Sequence, residues 1–177
     1  MNAARTEPIP NPLARQPGFA MPAALERAID EVITHYPAKR SASLMVLHAI
    51  QEQFGWISQD AVEWAATKLG LQPINLFELV TFYPMFRQRL MGRYQIKVCR
   101  TLSCALGGSY ALHKHFCDKL GLDHRQHGPQ TTGDGKFTVE FVECLASCGT
   151  APVMMVNEDF YEGVSRARAD EIIGRCA

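Results

Sequence analysis

Cys99-Arg-Thr-Leu-Ser-Cys104 and Cys144-Leu-Ala-Ser-Cys148 place four thiols in two short stretches, spaced C-x4-C and C-x3-C. Thiolates in close pairs are metal ligands, and two loops giving two sulfurs each suit a flat two-iron, two-sulfide rhomb in which every iron needs two protein sulfurs. On spacing alone a structural zinc on four cysteines is an equal alternative, and a smaller share belongs to ordinary buried thiols. Neither pair is the C-x2-C knuckle that favours zinc, nor the C-x-x-C of thiol–disulfide exchange. The plant-type ferredoxin run C-x4-C-x2-C is absent too. If the four hold iron and no histidine replaces them, the potential lies low, toward roughly −400 mV.

For two separate loops to share one metal centre, the elements before them must end side by side. Tyr94, Ile96 and Val98 alternate with Gln95 and Lys97, and Phe137, Val139 and Phe141 alternate with Thr138 and Glu140. Both runs read as strands, each leading directly into a cysteine pair. Neighbouring and parallel, they would bring all four thiols to one end of a sheet. Gly107-Gly108-Ser109 opens a helix carrying Leu112, Phe116 and Leu120. A helix start there favours negative charge, and its glycines would let backbone N–H groups approach sulfur. Val153–Val156 and Phe160–Glu162 read as further strands. Ser165 caps a last helix with Ala169, Ile172 and Ile173 on one face.

Before residue 90 the period is helical. Leu25, Ile29, Val32 and Ile33 make a first stripe, ended by Pro37. A second helix, capped by Ser41 or Ser43, carries Leu47, Ile50 and Phe54. A third, capped by Ser58, carries Val62, Ala65, Ala66 and Leu69. Asn75 with Glu78 reads as a capping box for a short fourth. The expected architecture is α+β. Residues 1–20 form a disordered or extended arm, 21–90 a helical bundle and 91–177 a mixed sheet with helices against it. Cys117, one turn after His113, and Cys176 read as packed thiols. The histidines form no metal pair and read as surface or satisfied core groups.

Composition narrows the function. Lys plus Arg equals Asp plus Glu at 18 each, which argues against nucleic acid, including a DNA-binding role for the bundle. No apolar run approaches the roughly 20 residues of a membrane span, so no direct membrane insertion is expected. The first twenty residues lack the apolar stretch of a secretory signal, so a reducing compartment is expected. No nucleotide fingerprint or nucleophile elbow is visible, so neither NADH nor a flavin has a place on this chain and no catalytic residue is expected in it.

The motifs together resemble a known family. They are Phe54-Gly55-Trp56-Ile57-Ser58, Thr81-Phe82-Tyr83-Pro84-Met85-Phe86, Cys99 to Cys104 with Gly108-Ser109, Asp134-Gly135-Lys136-Phe137-Thr138, and Val142 to Cys148 with Ala151-Pro152. This pattern resembles the small [2Fe–2S] subunit of the NADH-oxidising module of respiratory complex I, the E-type subunit of bacterial NADH-quinone oxidoreductase. The resemblance implies a helical bundle followed by a thioredoxin-like [2Fe–2S] ferredoxin domain. It implies one [2Fe–2S] cluster on Cys99, Cys104, Cys144 and Cys148. It implies as partners a subunit binding FMN and NADH and the large iron–sulfur subunit, in a translocase peripheral to the inner membrane on its cytoplasmic face. The chain would exchange one electron with the partner's FMN and hold no complete active site. Homologous subunits of NAD-linked formate dehydrogenases and bidirectional hydrogenases share the motifs and stand as the alternative, with a zinc-stapled interaction module behind them. The family often has Gly where Ala146 or Ser147 stands, and Ala151–Pro152 falls where thioredoxin-like folds often place a cis proline.

Overall fold

The computed structural model describes residues 13–126 and 128–176. The chain separates into two compact units, residues 1–90 and 91–177.

The first unit is helical: α1 Ala23–Thr34, α2 Ser43–Phe54, α3 Gln59–Leu69 and α4 Pro73–Phe82. Its core takes Ile29, Leu47, Ile50, Val62 and Ala65 from the expected stripes of the first three helices, and Leu76 and Val80 of α4 are buried with them. Burial of such faces, rather than helix propensity, supplies most of the stability of helices this short. Ser58 caps α3 as expected, its hydroxyl accepting the Ala61 N–H at 3.1 Å. Two other caps differ from expectation. Neither Ser41 nor Ser43 caps α2, because a 3-10 turn over Lys39–Ala42 runs straight into it and Ser43 Oγ instead donates to the Arg40 carbonyl. The capping box of α4 pairs Gln72 with Asn75, not Asn75 with Glu78, since Pro73 in the first turn starts the helix earlier.

The expectation of a disordered or extended arm falls partly on residues 1–12, which lie outside the described residues. From Leu13 onward the segment is irregular but pinned. Leu13 is buried, Arg15 forks onto Asp60 and Glu63, and the Gln16 N–H donates to Asp60 Oδ2 at 2.7 Å. That N–H does most to hold the Asp60 carboxyl below its ordinary range.

The second unit begins with β1 Tyr94–Cys99, followed by α5 Leu102–Leu106 and α6 Ser109–Leu120. β2 Gln130–Thr131, β3 Phe137–Val142, β4 Met154–Val156, β5 Asp159–Tyr161 and α7 Arg166–Arg175 complete it. The sheet order is β2-β3-β1-β4-β5, with β1 and β3 parallel and every other neighbouring pair antiparallel. Ile96, Val98, Val139 and Met154 from the sheet meet Leu112 and Phe116 of α6 and Ala169 and Ile172 of α7 in one core. Ser165 caps α7, accepting the Arg168 N–H at 3.2 Å.

His113 lies inside this unit, its ring stacked on Phe141 with centroids 3.9 Å apart and its nitrogens 3.8 Å from Cys117 Sγ. Burial, with a smaller push from His124, lowers His113 from 6.5 to about 4. The unfolded chain takes up this proton near 6.5, whereas the folded one resists until about 4. The stabilising difference is therefore complete above 6.5 and lost as pH falls through that window. Urea unfolding of the cluster-free chain should lose about 3 kcal/mol over this range through His113. His113→Phe should flatten that limb, and an unchanged slope would remove His113 from the account.

Candidate metal centre

The sheet explains why the cysteines meet. In the parallel pair of β1 and β3, Cys99 stands opposite Val142, so both strands end at the same edge. β4 flanks β1 on its other side and runs back from that edge, with Met154 opposite Val98. The connection from β3 to β4 must therefore pass over the end of β1, and this connection carries Cys144 and Cys148. Backbone bonds close both flanks: Arg100 N–H to the Val142 carbonyl at 3.0 Å, and Cys99 N–H to the Val153 carbonyl at 3.2 Å. Arg100 Nε and Nη2 also reach Glu143 Oε1, at 3.0 and 2.5 Å, tying the residue after Cys99 to the residue before Cys144.

Cys99 and Cys104 are buried with Val153, and Leu145 and Ala151 pack on them. Cys144 and Cys148 are exposed, their sulfurs 4.0 Å apart. Two thiolates on one tetrahedral metal at about 2.3 Å would stand about 3.8 Å apart. Among the described residues no three or more His, Cys, Asp or Glu side chains form a ready-made metal-binding group. Four thiols in two pairs, one pair from each loop, is a donor set that fits a two-iron cluster.

Hydrogen bonds prepare these sulfurs for negative charge. Burial pushes the Cys99 thiol up, but the Thr101 hydroxyl at 3.2 Å, the N–H groups of Leu145 and Thr101, and the Cys104 thiol outweigh it and bring the pKa down. At Cys144 the Ala146 N–H, 3.3 Å away, is the largest influence, and with Thr101 and Cys148 it lowers the pKa. Burial raises Cys104 despite an N–H from Val153. Donors to the thiolate form favour it, and they are also levers on the potential of an iron–sulfur centre.

Thr101 escaped the sequence reading, although it stands within the first cysteine stretch. Its hydroxyl lies within reach of Cys99 and Cys144, one sulfur from each loop, and its single proton serves one of them at a time. The glycines play a different part from the one expected. The N–H groups that reach the sulfurs belong to Thr101, Leu145, Ala146 and Val153, whereas Gly107 makes room. A Cβ there would come within 3.0 Å of the Ala151 Cβ and 3.2 Å of the Pro152 nitrogen. The Ala151–Pro152 peptide is cis. Ala146 adopts the left-handed region, φ 62°, where a glycine would sit without steric cost.

A family profile described as thioredoxin-like [2Fe–2S] ferredoxin matches residues 29–177. The E subunit of the Rickettsia conorii NADH-quinone oxidoreductase is 39% identical over 149 residues, covering 82% of this chain and 87% of its own. The E 2 subunit of the Rhizobium meliloti NADH-quinone oxidoreductase is 35% identical, covering 84% of this chain and 86% of its own. Among solved structures, an NAD+-reducing [NiFe]-hydrogenase in the air-oxidized state superposes on 76% of this chain with a TM-score of 0.63 and 25% identity. The chain spans only 22% of that hydrogenase chain.

Proposed function

This chain belongs to the thioredoxin-like [2Fe–2S] ferredoxin family, and we propose that it is the [2Fe–2S] electron-transfer subunit of the NADH-oxidising module of an NADH-quinone oxidoreductase. Cys99, Cys104, Cys144 and Cys148 hold the cluster, with Cys99 and Cys104 serving one iron and Cys144 and Cys148 the other. When bound, the cluster supplies one-electron exchange at low potential. The protein's own part is to bring the thiols together at the shared end of β1 and β3, to bury one pair, and to give the sulfurs N–H and hydroxyl donors. FMN and NADH sit on a partner subunit, with the large iron–sulfur subunit beside it. The complex lies against the cytoplasmic face of the inner membrane, where this chain is peripheral. No helix among the described residues is long and apolar enough to cross a membrane.

The observation that carries the reading is the parallel register of β1 and β3, which delivers both cysteine loops to one edge. The choice of parent complex rests on relatives named as E subunits of NADH-quinone oxidoreductase at 35–39% identity over most of the chain, against 25% for the hydrogenase. The test is reduction by NADH. The iron-loaded chain should stay oxidised with NADH alone and be reduced within the mixing time once the flavin-bearing subunit of the same source is added. Failure of that subunit to bind the chain or to pass electrons to it would overturn the assignment.

A further inference from the structure

Glu162 follows β5 at the edge of the sheet and is 14 residues beyond the last cysteine of the site. Its Oε1 accepts hydrogen bonds from Ser147 Oγ and, at 2.7 Å, from Thr150 Oγ1. Those hydroxyls bracket Cys148 and lie 2.8 Å from each other. The backbone follows the same path: Gly163 N–H donates to the Thr150 carbonyl at 2.7 Å, and Val164 N–H to the Pro152 carbonyl at 3.0 Å. The segment after β5 thus backs the stretch that carries Cys148 toward β4.

That stretch needs holding. Cys144, Cys148 and Ser147 are exposed or nearly so, and Ala146 is in the left-handed region. Ser147 has φ −122° and ψ 59°, outside both helix and strand. Leu145 and Ala151 anchor it by packing on the buried cysteines, and between those two residues polar contacts hold it. One carboxylate oxygen shared by two hydroxyls is a charge-assisted contact, stronger than two neutral ones.

We propose that Glu162 is the positioning residue of this centre, holding Ser147 and Thr150 so that Cys148 stays in ligand geometry opposite Cys144, and setting a fixed negative charge beside that pair. The proposal rests on the cluster assignment above. It separates two properties of one side chain. The acceptor oxygen holds the loop, and the charge disfavours adding an electron to an already anionic centre.

The substitutions follow from that separation. Glu162→Gln keeps an acceptor oxygen and removes the charge, so the cluster should survive chelator challenge longer than in Glu162→Ala but less long than in the parent, while its midpoint potential moves positive. Glu162→Ala removes both, and the cluster should be lost at least about tenfold faster, the factor expected for even one missing charge-assisted bond. Ser147→Ala with Thr150→Val takes away the donors and leaves the charge. It should match Glu162→Ala in cluster lifetime, and it carries the test if Glu162→Ala does not fold. In the cluster-free chain, hydrogen exchange at the Gly163 amide should quicken in Glu162→Ala. This readout needs no iron, so a parent chain that takes up no cluster sinks the cluster assignment and leaves the positioning role to be judged by exchange. Parent-like cluster lifetime in Glu162→Ala, an unmoved midpoint in Glu162→Gln, equal fragility of the Gln and Ala variants, or unchanged exchange at Gly163 overturns the proposal.

Discussion

Cys144→Ser should abolish or alter the cluster, and Cys117→Ser should leave it intact. The two thiols differ in every respect that matters to a metal. Cys144 is exposed, 4.0 Å from Cys148, and receives the Ala146 N–H and the Thr101 hydroxyl, which favour its thiolate. Cys117 is wholly buried on α6, and burial, its largest influence, pushes its thiol up to about 11, where no thiolate is available near neutral pH. Reconstituted Cys144→Ser should bind iron well below the parent's two per chain and lose the visible absorption. Cys117→Ser should keep both and pay instead in stability, roughly 1–3 kcal/mol for a hydroxyl set among apolar neighbours. Iron counts on both variants decide it. A dispensable Cys144 beside an essential Cys117 would refute the ligand assignment.

Gly92→Ala should be the most damaging conservative change away from the cysteines. A Cβ at residue 92 would lie 2.6 Å from the Phe137 carbonyl carbon and 2.9 Å from the Thr138 nitrogen, all backbone of β3. Backbone in a paired strand cannot step aside as a side-chain tip can. The Gly92 N–H also donates to Thr138 Oγ1 at 2.6 Å, a bond any displacement would stretch. The resulting strain should cost about 2–3 kcal/mol, the range of overpacked sites with little room to relax. Because β3 then meets β1 in a disturbed register, cluster loading should fall as well. Urea unfolding of the cluster-free protein measures the first effect. A loss below about 0.5 kcal/mol, the scale of a neutral surface change, would mean that the start of β3 yields.

The readable part of this molecule was its periodicity and its cysteine spacing. Alternation at Tyr94–Val98 and Phe137–Phe141 marked both strands of the site, and placing a cysteine pair after each was enough to suggest a shared sheet edge. The structure supplies the parallel pairing that the suggestion required. Ser58 and Ser165 could be read as caps because each precedes an uninterrupted helical stripe. Ser41 and Ser43 could not be ruled out from sequence, because the 3-10 turn that removes the cap position depends on how Lys39–Ala42 folds. β2 was hidden for a different reason. Two residues, Gln130 and Thr131, carry no period, and the strand exists because β3 offers it an edge. Glu162 lay beyond sequence reading altogether. Its partners Ser147 and Thr150 are 15 and 12 residues away, and only the return of β4 and β5 brings them together.

The most direct test is low-temperature electron paramagnetic resonance on anaerobically purified protein, before and after dithionite, with iron and zinc counted on the same sample. A signal from a single unpaired electron that appears on reduction, with about two irons per chain and little zinc, is the expected result for one [2Fe–2S] cluster on four thiolates. A colourless sample, silent after reduction, holding about one zinc and refusing reconstitution would contradict it, because zinc carries no redox chemistry.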